Sequence, residues 1–128
     1  RARRSDGKFV IAFIDVDGLK EVNDRDGHLA GDELLQEIST ALRANLRPYD
    51  PLVRIGGDEF ACALFDMGVD EAERRFADIN AGLQNASFTV GLTTVQAGDS
   101  VTDVIDRSDA IMRRKRPSRH PPTAPDSS

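Results

Sequence analysis

The 128-residue sequence predicts an α+β domain, a single mixed β-sheet covered by helices, in the order β-α-α-β-β-α-β-α. Three observations carry this reading. Residues 9–16 (Phe-Val-Ile-Ala-Phe-Ile-Asp-Val) are β-branched, aromatic and too few for a typical helix, which describes a buried strand. Apolar residues recur at spacings of three and four in the stretches that follow residues 31, 70 and 100. Two short apolar runs flank Gly56-Gly57-Asp58-Glu59, the pattern of a β-hairpin.

After the first strand, a short helix is expected over residues 19–24, followed by a turn at Arg25-Asp26-Gly27-His28. The next helix is expected to begin near Gly31 or Asp32, since Leu34, Leu35, Ile38, Ala41 and Leu42 share one face, and Pro48 marks its end. Residues 52–55 and 60–65 form the hairpin arms, with Asp58 and Glu59 at the tip and glycines that permit positive φ. Ala72, Phe76, Ile79 and Leu83 define an amphipathic helix starting near Asp70. Phe88, Val90 and Leu92 alternate with Thr89, Gly91 and Thr93, as in a half-exposed strand. Val101, Val104, Ile105, Ser108, Ile111 and Met112 mark the last helix. Beyond it come Pro117, Pro121, Pro122 and Pro125, so residues 117–128 are expected to form a disordered tail, residues 9–116 the domain, and residues 1–8 an extension.

Charge is divided by position. Positions 9–106 carry seven basic side chains against 19 acidic ones, while residues 1–8 carry four basic side chains and residues 107–120 carry six. A body this acidic is a poor nucleic-acid surface, because phosphate backbones are bound by neutralising them with Lys and Arg. No apolar stretch approaches the roughly 20 residues of a membrane span, so a cytoplasmic location without membrane contact is expected of this segment, with membrane anchoring of a longer parent protein left open. Cys62, the single cysteine, lies in an apolar run and reads as core packing in a reduced compartment.

Two acidic pairs stand out, Asp15 with Asp17 and Asp58 with Glu59. Strand alternation puts Asp15 and Asp17 on one face, where they repel unless solvent or a cation intervenes. Oxygen ligands without a histidine or cysteine cluster favour Mg²⁺ or Mn²⁺ over zinc. Taken alone, the composition favours a solvated turn over a cation site.

Gly56-Gly57-Asp58-Glu59-Phe60 matches the signature of GGDEF domains. Asp15-Val16-Asp17, Leu19-Lys20, Asn23-Asp24, Gly27-His28 and Gly31-Asp32 are similar to the block that precedes it. Over residues 9–65 the chain thus resembles the catalytic module of diguanylate cyclases, with weaker similarity to about Arg119. The resemblance implies a sheet related to the palm of nucleotide cyclases and polymerases. It also implies condensation of two GTP into cyclic di-GMP by two facing copies of the domain, each 3′-hydroxyl attacking the other nucleotide's α-phosphate. A catalytically inactive module that binds GTP or cyclic di-GMP is the alternative.

The same resemblance implies roles for individual residues. Asp15, the main-chain carbonyl of Val16 and Asp58 would hold Mg²⁺ or Mn²⁺, with Glu59 supporting a second ion, and Asp58 is the candidate base. Two such ions would neutralise the triphosphate. Lys20 matches a lysine near the phosphates, where a point cation offsets developing charge. Gly18, Leu19 and Gly57 fall at GTP-contacting positions. Asn23 and Asp32 match the guanine readers, an amide offering both donor and acceptor and a carboxylate accepting from the base. His28 matches a nucleotide-contacting position, although a structural role suits it equally. Asp17 reads as a cap for the following helix. Arg47 and Asp50, five residues before the double glycine, match the family's product-inhibition site; a helix-end charge pair is the other reading.

The likeness weakens at both ends. The chain opens with Arg1-Ala2-Arg3-Arg4 in place of a segment around Asp-x-Leu-Thr-Gly-Leu. The last helix reads Ile111-Met112-Arg113-Arg114-Lys115, so Lys115 and Arg119 align with the family's phosphate-binding lysine and arginine only across a one-residue deletion. Such a deletion turns a helix face by about 100°.

Overall fold

In the computed structural model, residues 9–115 are described. The expected extension and tail, and with them Arg119, lie outside that span. The elements follow the expected order: β1 (Phe9–Val16), α1 (Leu19–Asp26), α2 (His28–Asn45), β2 (Leu52–Arg54), β3 (Glu59–Leu64), α3 (Val69–Ala81), β4 (Phe88–Val95) and α4 (Val101–Lys115).

The strands form one sheet in the order β2-β3-β1-β4, and every neighbouring pair is antiparallel. This corrects the expectation of a mixed sheet. The helical crossovers do make β1 parallel to β2 and β3 parallel to β4, but β3 lies between the first pair and β1 between the second. The result is an interleaved, split β-α-β arrangement.

Alternation along β1 sends Val10, Ala12, Ile14 and Val16 into the core, and their cross-strand neighbours Cys62, Phe60, Val90 and Phe88 point the same way. Leu34, Leu35, Ile38 and Leu42 of α2 and Ala72, Phe76 and Ile79 of α3 cover this face. Phe76 and Phe88 meet edge to face with their ring centres 6.3 Å apart. A fully buried aromatic such as Phe76 contributes about 1.5–3 kcal/mol through removal of apolar surface from water.

The opposite face carries α4. Residues 88–93 of β4 are therefore buried on both sides apart from Thr89, and the strand is not half-exposed as its alternation suggests. Gly91 makes this close approach possible: a Cβ there would lie 2.8 Å from Met112 Sδ. Thr93 and Ser108 satisfy each other through a buried hydroxyl contact of 2.8 Å.

Helix α2 begins at His28, earlier than the apolar spacing indicated, because Gly27 at φ 92° makes the whole break from α1. Gly18 opens α1 in the left-handed region, at φ 71°. No side chain caps α1, so Asp17 is not its cap. The Asp17 carboxylate instead accepts from Ser87 Oγ at 2.6 Å and Thr89 Oγ1 at 2.9 Å, tying the end of β1 to β4. Among the described residues, no helix is long and apolar enough to cross a membrane.

Candidate active site

Asp15 lies one residue before the end of β1, directly across from Glu59, the first residue of β3. The amide of Val16 donates to the Asp58 carbonyl at 2.9 Å, which docks the hairpin loop onto the end of β1. These two constraints bring one carboxylate oxygen from each of Asp15, Asp58 and Glu59 within 4.8 Å of one another. Asp15 and Asp58 are half-buried and Glu59 is exposed.

Asp15 and Glu59 of the cluster border a hollow of about 250 Å³ whose other walls include Phe13, Phe60, Asp109 and Met112. Carboxylates gathered this closely repel one another unless a cation or solvent intervenes. An all-oxygen donor set of this kind fits a hard divalent cation, and Val16 adjoins it at the end of β1.

The loop carrying Asp58 is closed by the Ile55 amide donating to the Glu59 carbonyl at 2.8 Å. Gly56 and Gly57 are absent from the positive-φ residues, contrary to the hairpin expectation. What glycine provides at position 57 is open space, since a Cβ there would meet nothing within 4 Å. Arg54 closes the loop a second time, donating from Nε to the Gly56 carbonyl at 3.1 Å and from Nη2 to the Gly57 carbonyl at 2.8 Å. Sequence reasoning missed Arg54. Its signal was an arginine placed two residues before a double glycine.

Asn23 and the segment that carries Asp32 are brought together where α1 packs on α2. The Asn23 side chain lies against Gly31, where a Cβ would collide with Oδ1, and that enclosed oxygen has no hydrogen-bond partner among the described residues. Asp32 and His28 are exposed on the first turns of α2. Gly18 and Leu19 form the turn between the acidic cluster and α1, with Leu19 buried.

Two expected phosphate ligands hold other partners. Lys20 pairs with Asp24 at 2.9 Å on the exposed face of α1, and this hydrogen bond raises its pKa and keeps it charged. Lys115 donates to the Val90 carbonyl on the edge of β4 at 2.7 Å and lies 3.6 Å from Glu73. Helix α4 runs unbroken to Lys115.

Arg47 and Asp50 form a closed fork. Asp50 Oδ2 accepts from Arg47 Nε at 2.8 Å and from the Arg47 amide at 3.0 Å, while Oδ1 accepts from Nη2 at 2.8 Å. The same Nη2 donates to the Phe65 carbonyl, and the guanidinium lies 4.8 Å from the Tyr49 ring centre. Hydrogen bonding to Asp50 raises the Arg47 pKa.

Residues 1–120 match the family model described as diguanylate cyclase, GGDEF domain. The chain belongs to the GGDEF domain family. Among its relatives, diguanylate cyclase DgcP of Pseudomonas aeruginosa is 30% identical over 93% of this chain, which spans 20% of that protein's length. Among solved structures, diguanylate cyclase SiaD of Pseudomonas aeruginosa, in complex with its activator SiaC, superposes with a TM-score of 0.78 at 31% identity, covering 92% of this chain and 50% of that one. A microbial GGDEF domain solved with cyclic di-GMP gives a TM-score of 0.78 at 32% identity, covering 92% and 76% respectively. The antiparallel sheet with its four helices is thus the GGDEF fold, and the hairpin loop carrying Asp58 holds the residues from which the family takes its name.

Proposed function

We propose that this GGDEF domain, over residues 9–116, condenses two GTP molecules into cyclic di-GMP and two pyrophosphates when two copies face each other. The convergence of Asp15, Asp58 and Glu59 at the junction of β1 and β3 carries the reading. The relatives named diguanylate cyclases and the related domain that binds cyclic di-GMP support it.

Asp15, the carbonyl of Val16 and Asp58 hold Mg²⁺ or Mn²⁺, and Glu59 holds a second ion. Bound there, the cations supply charge neutralisation to the triphosphate and its leaving pyrophosphate. In this reading Asp58 takes the proton of the 3′-hydroxyl. Asn23 and Asp32 read guanine, and the enclosed Asn23 oxygen gains a partner when a base donates to it. Gly18, Leu19 and Gly57 let the phosphates approach the main chain, and His28 borders the base. Lys20 reaches the phosphates by releasing Asp24, an exchange that costs little because exposed pairs contribute little. Arg47 and Asp50 bind the product by opening their fork.

A second reading, a receptor that binds nucleotide without turnover, is favoured by the engagement of Lys115 with the Val90 carbonyl and Glu73. Incubation with GTP and Mg²⁺ at dimer-forming concentration, followed by chromatography, separates the two. Cyclic di-GMP should form, and Asp58→Ala should abolish it without unfolding the chain. Nucleotide binding without product would sink the enzyme reading and leave the receptor.

A further inference from the structure

Peptide planarity ties each carbonyl of the hairpin loop to the residue that follows it. Once the Gly57 carbonyl is held, the amide nitrogen of Asp58 is held with it, and the direction of the Asp58 side chain follows. Likewise, the Gly56 carbonyl sets the peptide plane that leads into Gly57. Neither glycine has a side chain to wedge it in place, and the space around position 57 is open. Glycine carries more backbone freedom than any other residue, so two in succession beside a ligand-bearing carboxylate need an external restraint.

Arg54 provides that restraint. It is the last residue of β2, paired across the sheet with Phe60; it forms no ion pair among the described residues, and its guanidinium donates to both glycine carbonyls, at 3.1 and 2.8 Å. The far end of the loop is pinned separately, by the Val16 amide on the Asp58 carbonyl and the Ile55 amide on the Glu59 carbonyl. The Gly56 amide also reaches the Glu59 carbonyl, at 3.4 Å, so what the guanidinium adds is a hold on the two glycine carbonyls.

We infer that Arg54 is a positioning residue for the acidic cluster, shaping the Gly56-Gly57 turn so that Asp58 meets Asp15 and Glu59 in a geometry that takes up a divalent cation. This rests on the reading of those three carboxylates as a cation site.

The sign of the effect separates positioning from electrostatics. A guanidinium near a cation site opposes the cation through space, so on charge alone Arg54→Ala would tighten binding. Positioning demands the reverse. Arg54→Lys keeps the charge but replaces the planar two-donor fork with a single ammonium, so positioning predicts that it too binds weakly.

The test is direct Mn²⁺ titration of the full chain by electron paramagnetic resonance, without nucleotide, with thermal melts in parallel. We expect Arg54→Ala and Arg54→Lys each to weaken Mn²⁺ at least threefold, with melting close to that of the parent chain. If the alanine variant melts early, the lysine variant, which retains the aliphatic stem and the charge, makes the same comparison. Unchanged or tighter Mn²⁺ binding in a folded variant would overturn the role of Arg54 and leave the cation site standing. Absence of Mn²⁺ binding by the parent chain would overturn both.

Discussion

Replacing Arg47 with alanine should destabilise the domain as well as alter any response to product. The Asp50 side chain has no exposed surface, and the Arg47 side chain is 21% exposed. Asp50 would lose two of its three donors, keeping only the main-chain amide of position 47, and the Phe65 carbonyl would lose the donor from Nη2. Removing one partner of a buried pair costs about 3–5 kcal/mol. The partial exposure of Arg47 lowers the expected cost to about 2–3 kcal/mol, equivalent to roughly 10 °C in Tm for a domain of this size. Urea unfolding followed by circular dichroism measures it, and a double-mutant cycle with Asp50→Ala should return a coupling above about 1 kcal/mol. A loss below about 0.5 kcal/mol would refute a structural role for the fork. Inhibition by cyclic di-GMP should be compared well below the lowered Tm, where Arg47→Ala should relieve inhibition without slowing the initial rate.

Two further outcomes follow from packing. Gly31→Ala gains helix propensity but drives a methyl into the space held by Asn23, so GTP binding by a fluorescent analogue should weaken severalfold while stability stays within about 1 kcal/mol; unchanged GTP affinity would remove Asn23 from the guanine pocket. Burial pushes the Cys62 thiol from 9.0 up to about 12, so its contribution to stability is complete below pH 9 and is lost as pH rises through 12. Cys62→Ala should flatten the alkaline limb of the stability profile, and an Ellman assay at pH 8 should find the native thiol unreactive until denaturant is added. Identical slopes between pH 9 and 12 in both chains would count against this.

The elements were legible wherever one residue's environment repeated at a fixed period. Val10, Ala12, Ile14 and Val16 on β1, and Ala72, Phe76 and Ile79 on α3, took the faces that their spacing required. Spatial order among the strands has no such local signature, which is why an interleaved antiparallel sheet replaced the expected mixed one. The two-sided burial of β4 was hidden for a similar reason: Thr93 looks solvent-facing until Ser108 arrives from a helix fifteen residues later. In the candidate site, the meeting of Asp15, Asp58 and Glu59 was readable because strand ends place them. The ammonium groups of Lys20 and Lys115 were not, since long flexible side chains take whichever acceptor is nearest, here Asp24 and the Val90 carbonyl. Arg54 escaped notice because its partners are carbonyls, which every residue has.

The central position of β1 bears on how the chain reaches its native state. Among the described residues, β1 is made before its partners Glu59–Leu64 and Phe88–Val95, and Val16 must wait for Phe88 before its edge is closed. On a ribosome, β1 would remain unpaired while the helices of residues 19–45 form beside it. Pairings at such separation are slow to close. The folding barrier should therefore contain the docking of β1 between β3 and β4, and the carboxylate of Asp15 should meet those of the hairpin among the last events of folding.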